Sequence, residues 1–255
     1  MWFKPARIEH APEPPKGWHS MPHGAWWRDS LARALEPHWE TLFGHYLIKL
    51  GSLSAKLPND CRIREQYTVG TFDSADIQAR LSALPFQENT VDAVLMAHVL
   101  EYAEDPHEIL REVDRMLRAD GHLILALTNP WSPTILPRLW PSWRESGLMN
   151  SRLFSKNRVT DWLDLMHYEV IHDGYFAAGA PIPTVRDPER GWGWLLRSWP
   201  RLSGGYYLIA RKREWPITPV RLQRARRQST EIATASARIP SARSAHLVQQ
   251  RDKMP

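Results

Sequence analysis

"LPFQENTVDAVLMAHVLEYAEDPHEILREVDRMLRADGHLILAL", Leu84 to Leu127, decides the fold. Val91 to Met96 is a short, nearly continuous apolar run, the pattern of a strand buried on both faces of a parallel sheet. The spacing then predicts a helix opening at Asp105. Its carboxylate can cap, Pro106 suits the first helical position, and Glu108 stands at capping-box spacing. Ile109, Leu110, Val113, Met116 and Leu117 form one apolar stripe, and Gly121 is placed to end the helix. "HLILAL" reads as a second buried strand. Strand, helix and strand at this spacing make a right-handed crossover unit of a parallel sheet.

Toward the N-terminus, "HYLIKLGSLSAKL", His45 to Leu57, reads as a strand over Tyr46 to Leu50, one glycine, Gly51, and a helix-forming segment. A helix is expected before it, over Trp27 to Phe43, with Leu31, Leu35, Trp39 and Leu42 at spacings of three and four and Pro37 expected to kink or split it. Residues 1–24 are rich in proline and lack an apolar period, so they read as an extended arm. Toward the C-terminus, "FSKNRVTDWLDLMHY" has helical spacing. "EVIHDGYFAAG" and "GGYYLIARKR" read as two strands, expected to close the sheet edge as an antiparallel hairpin. Two Trp- and Pro-rich inserts, about 129–150 and 181–200, interrupt this part of a domain expected over 25–214.

The composition, 43% hydrophobic and 24% charged over 255 residues, suits one globular domain with extensions. From Ile217 to Pro255 eight Lys/Arg stand against Glu231 and Asp252, a surplus of six positive charges. The chain's net charge is +5, so the rest is acidic by one. Residues 215–255 therefore read as a basic, disordered tail, either a solvated extension or a weak, salt-sensitive nucleic-acid contact. The start carries no apolar run of signal-peptide length, and no run is long enough to span a membrane, which gives a cytoplasmic expectation. Cys61 is the one cysteine and the eleven histidines are scattered, so no metal is expected.

Leu84-Pro85-Phe86, Asp92 opening a strand, a helix after Asp105-Pro106, Leu110-Arg111-Glu112 within it and Gly121 before the next strand recur in this order in class I S-adenosylmethionine-dependent methyltransferases. The chain resembles that family from Tyr46 to about Arg211. It closely resembles a methyltransferase type 11-like subgroup of uncharacterised bacterial proteins with Asn-Pro-Trp-Ser after the fifth strand, here Asn129 to Ser132. The resemblance implies an α/β, Rossmann-like fold, a mostly parallel sheet with a C-terminal antiparallel strand, binding S-adenosylmethionine across the carboxyl ends of its first strands. It assigns the first turn to Gly51, Ser52 and Leu53, the ribose carboxylate to Asp73, the third-strand loop to Ser82, Ala83 and Leu84, and the fourth-strand end to Met96, Ala97 and His98. Asp73 reads equally as an ordinary turn aspartate.

The chain departs from the family pattern in two places. The Gly-x-Gly-x-Gly turn is reduced to Gly51-Ser52-Leu53-Ser54-Ala55, and Gly51 to Leu84 is too short for a full helix, strand, helix and strand, so the second βα unit is expected to be shortened. A fold retained as a non-catalytic binding module is the alternative these departures leave open. For the enzyme, methyl transfer needs alignment more than a fixed catalytic signature. His98 is the residue to test as base or substrate contact, against a packing role for a hydrogen-bonded histidine; Glu101 and Tyr102 are nearby alternatives, read in preference as helix-surface residues. The acceptor is expected to be a small molecule, with the Trp-rich inserts as a candidate roof or as plain aromatic packing.

Overall fold

The computed structural model describes residues 7–133, 151–178 and 199–213. The readings of the basic tail and of Trp140, Trp143, Trp192 and Trp194 lie outside them. Seven strands form one sheet: β1 Tyr46–Leu50, β2 Glu65–Gly70, β3 Ile77–Gln78, β4 Val91–Ala97, β5 Leu117–Thr128, β6 Tyr168–Phe176 and β7 Gly205–Lys212. Their order is β3-β2-β1-β4-β5-β7-β6. β7 runs antiparallel to both its neighbours, and the β3-β2-β1-β4-β5 pairings are all parallel. Order reverses between β1 and β4, where open α/β sheets hold their ligands.

Alternation along the strands sends side chains to two apolar layers. Ile48, Leu50, Val94, Met96, Leu123 and Leu125 face one layer, which helices α3 (Pro106–Met116) and α4 (Lys156–Leu165) complete. Leu47, Ala93, Leu95, Ile124 and Ala126 face the other, closed by helix α1 (Gly24–Trp39). β4 and β5 are buried on both sides, and this produces the unbroken apolar runs of their sequences.

The α3 cap forms as its sequence indicates, with Asp105 accepting from the amides of His107 (2.9 Å) and Glu108 (3.3 Å). Ile109, Leu110, Val113 and Met116 are buried, each contributing about 1.5–3 kcal/mol. Gly121 does not end this helix. Leu117 is already extended and pairs with Val91, the register then jumps to His122 opposite Ala93, and Gly121 lies inside β5. The reason for glycine there is space, since a Cβ would come within 2.7 Å of Leu117 Cγ and 2.8 Å of the Arg118 carbonyl.

Helix α1 also departs from expectation. It starts at Gly24, ends at Trp39 and is not split, because Pro37 falls in the last turn, where little helix remains to be broken. Between β1 and β2 the helix is reduced to α2, Ser52–Ala55, and between β2 and β3 there is none. Six residues, Thr71–Asp76, join those parallel strands. So short a link suffices because β3 is only two residues long: with Ile77 opposite Val69 and Gln78 opposite Gly70, the chain returns by little more than one residue's rise. Asp76 fastens the loop by accepting from the Thr68 amide and hydroxyl, both at 2.7 Å, and these bonds hold its carboxyl below the usual range.

Candidate functional site

Gly70 ends β2, and Gly51 follows β1 one step past the Leu50–Val69 pair, so the two glycines are neighbours. Gly51 has φ 83° and ψ 160°, a region essentially reserved for glycine, and its amide donates to the Val69 carbonyl at 2.9 Å. A Cβ there would meet Val99 Cγ2 at 3.0 Å and, among the described residues beyond its chain neighbours, no other atom within 4 Å, so glycine keeps open ground beside the turn. Gly70 is its neighbour, with a Cβ there lying 3.8 Å from the Gly51 Cα, but the space beside Gly70 is filled by the Phe72 ring, 2.6 Å from that Cβ position. The sequence reading missed Gly70, because the pairing of β1 and β2, and not sequence spacing, makes the two glycines neighbours. α2 is too short to offer a helix-terminal anion site, and the Ser52 hydroxyl donates to the Pro15 carbonyl at 2.6 Å, so it is engaged with the arm. Leu53 is buried. Ser54, fully buried, accepts the Ala97 amide at 2.7 Å and so joins the first turn to the end of β4.

Past Met96 and Ala97, both buried, the chain turns sharply at His98, with φ 56° and its amide donating to Ala126 O at 2.8 Å. A short 3-10 turn, Leu100–Tyr102, carries Glu101 back beneath it. Nδ1 of His98 and Oε2 of Glu101 are 2.6 Å apart, with side chains 1% and 0% exposed. The other carboxylate oxygen accepts the Thr128 amide at 2.7 Å. With Glu101 ionised, Oε2 accepts from Nδ1–H, and in a neutral imidazole this tautomer puts the lone pair on Nε2, which is buried and has no hydrogen-bond partner among the described residues. An unpaired buried acceptor costs about 1–3 kcal/mol, which marks Nε2 as a group waiting for a donor. Burial, and then the Glu101 carboxylate, hold the Tyr206 phenol well above its ordinary range. Glu101 and Tyr102, read from sequence as surface residues, are both buried.

Aromatic rings enclose this imidazole. Trp18, Trp27 and Phe176 stand roughly edge-on to it at centroid distances of 5.9, 6.0 and 6.2 Å. Trp18 comes from the arm, on the 3-10 turn Trp18–Ser20, and its Nε1 donates to Leu53 O at 2.9 Å. The arm passes so close to α1 that a Cβ on Gly24 would collide with the Trp18 carbonyl oxygen. The arm is thus partly a packed element of the site.

Asp73 is exposed just beyond β2. Ser82 and Ala83 lie in a turn closed by the Ala83 amide on Arg80 O, and Leu84 is buried in the α3 layer, its amide on Glu112 (3.2 Å) and its carbonyl on Arg115 (3.1 Å). Among the described residues no hydrogen bond joins this loop to the first turn. Asn129 joins β5 to the entry of β7: its Nδ2 donates to Arg201 O and Ser203 O, and its Oδ1 accepts the Trp131 amide. Trp131 and Trp199 are exposed. Among the described residues no group of three His, Cys, Asp or Glu is placed to hold a metal ion.

A family profile described as a methyltransferase domain matches residues 58–125. The chain is 36% identical over 219 residues to the uncharacterized protein YafS of Escherichia coli (strain K12), spanning 85% of this chain and 88% of that protein. A crystal structure of an S-adenosylmethionine-dependent methyltransferase from Thermotoga maritima shares the fold, with a TM-score of 0.52 at 16% identity over 74% of this chain and 91% of that one. The chain belongs to the class I S-adenosylmethionine-dependent methyltransferase family. A local match, 38% identity over 60 residues, joins it to the ubiquinone/menaquinone biosynthesis C-methyltransferase UbiE of Hahella chejuensis, covering 23% of this chain and 24% of that methyltransferase. For a class I methyltransferase the site has an abbreviated first turn and lacks the helix between β2 and β3. The open side of Gly51, just past the end of β1, fits the close backbone approach that the family's cofactor needs there.

Proposed function

We propose that this chain transfers a methyl group from S-adenosylmethionine to a small-molecule acceptor, with His98 as the base and Glu101 as the residue that positions it. The observation that carries the reading is the buried His98–Glu101 pair with Nε2 unpartnered, one residue past the end of the β4 strand that Ser54 joins to the first turn. Gly51 would admit the cofactor's backbone approach, Asp73 would take the ribose hydroxyls, and Ser82, Ala83, Met96 and Ala97 would frame the remainder. When bound, S-adenosylmethionine supplies an electrophilic methyl group on a sulfonium, so the protein's share is alignment and removal of the acceptor's proton. Glu101 fixes the tautomer of His98 so that Nε2 is the accepting nitrogen, and the surrounding apolar rings keep water from competing for it.

Calorimetric titration with S-adenosylmethionine and S-adenosylhomocysteine tests the cofactor half of the proposal. Saturable binding by the wild type, weakened in a folded Gly51→Ala protein, is the expected result. Folded wild type that binds neither ligand at millimolar concentration overturns it.

A further inference from the structure

We infer that the methyl acceptor is a flat, apolar O–H acid, a phenol or an enol, which takes the place of the Trp18 indole and gives its proton to Nε2 of His98. This inference rests on the methyltransferase reading above and adds the substrate class.

The nature of the vacancy at Nε2 supplies the first argument. A neutral amine attacks through its own lone pair and releases a proton afterwards, so it gains little from a base sealed away from water. A hydroxyl is a poor nucleophile until its proton leaves, and a single buried lone pair, held in one tautomer by a carboxylate behind it, meets that need. The step is a proton transfer alone: the O–H bond breaks, the electron pair stays on oxygen, and the proton joins Nε2 while Nδ1–H stays on Glu101.

The walls supply the second. Three aromatic rings stand around the imidazole, so an occupant must be flat and largely apolar. The enclosure is closed, with His98, Trp18 and Trp27 only 2%, 3% and 4% exposed, so one ring must leave before a ligand enters. Trp27 is built into the sixteen-residue helix α1, and Phe176 ends a strand paired with Gly205. Trp18 sits on a three-residue turn, and its side chain has one hydrogen bond, to Leu53 O. It is the ring with the lightest attachment. Its departure frees the Leu53 carbonyl, which a second hydroxyl on the acceptor would engage, and this favours a dihydroxylated ring.

Nitrocatechol is a suitable probe because its anion is coloured. It is titrated into the protein at a pH below its first ionisation, with and without S-adenosylhomocysteine, beside nitroaniline as a flat amine of similar size. The expected result is an anion band on binding to wild type, no band from a His98→Asn protein that still binds, and severalfold tighter binding by Trp18→Ala, or Trp18→Phe if the alanine protein does not fold, because the closed state no longer competes. Binding of S-adenosylhomocysteine without an anion band from wild type or either Trp18 variant overturns the acceptor class and leaves the methyltransferase reading standing. Equal affinity for nitroaniline likewise overturns the acceptor class. Absence of S-adenosylhomocysteine binding overturns the methyltransferase reading itself.

Discussion

Glu101 shows how one residue's role depends on distant partners. In sequence it is an acidic residue after a strand, next to Tyr102 and Ala103, and nothing nearby marks it as buried. The Thr128 amide and His98 make it so, and the Arg152 amide donating to its carbonyl at 2.9 Å holds the turn. Glu101→Ala strands two buried donors and should destabilise the protein by about 2–6 kcal/mol, read from urea unfolding midpoints. Glu101→Gln should lose less stability but lower kcat more than the KM for cofactor, and a variant with unchanged kcat would remove Glu101 from its positioning role. Ser54 presents a simpler case. Ser54→Ala leaves the buried Ala97 amide without an acceptor, which should cost about 1–3 kcal/mol and weaken S-adenosylhomocysteine binding as the first turn loosens.

At the scale of elements, what can be read from sequence is what is local. The Asp105 cap, the α3 stripe and the apolar runs of β4 and β5 are each settled within a few residues, and all were legible before the structure. Asp105→Ala should lower stability by about 1 kcal/mol, a shift detectable as a reduced melting temperature. What escaped the sequence is set by long-range approach. The Trp18 ring lies against Leu53 and His98, the two glycines meet across β1 and β2, and the missing helix follows from a strand only two residues long. The contact of α1 with the far edge of the sheet is of the same kind. His38 bonds the Tyr207 hydroxyl at 3.1 Å, and its ring lies tilted by 32° to that of His172 at a centroid distance of 4.6 Å. Burial first, then His172, lowers the affinity of His38 for a proton from its ordinary 6.5; burial and then Arg211 do the same for His122, against a smaller opposite pull from Asp120. The unfolded chain therefore binds more protons, and stability should be complete above about pH 6.5 and decline as pH falls below it. A His38→Gln protein should show a shallower decline in urea midpoint over that window, and an unchanged slope would remove His38 as a contributor.

For the whole molecule, the sheet order has its own measurable consequence. The two-residue β3 leaves most of β2 with one partner strand, whereas β4 and β5 lie inside the sheet between two layers of side chains. Native-state hydrogen exchange should find the β2 amides opening at lower free energy than those of β4 and β5, and equal protection would contradict that gradient. β7 belongs between β5 and β6, yet it is the last of the seven to leave the ribosome. Until Lys212 has been made, β5 and β6 each present a bare row of amides and carbonyls toward the gap where β7 will go. The nascent chain must therefore carry two adhesive borders from the completion of β6 at Phe176 until β7 is made, and a fragment ending before Gly205 would keep both for good, as a template on which other copies can build.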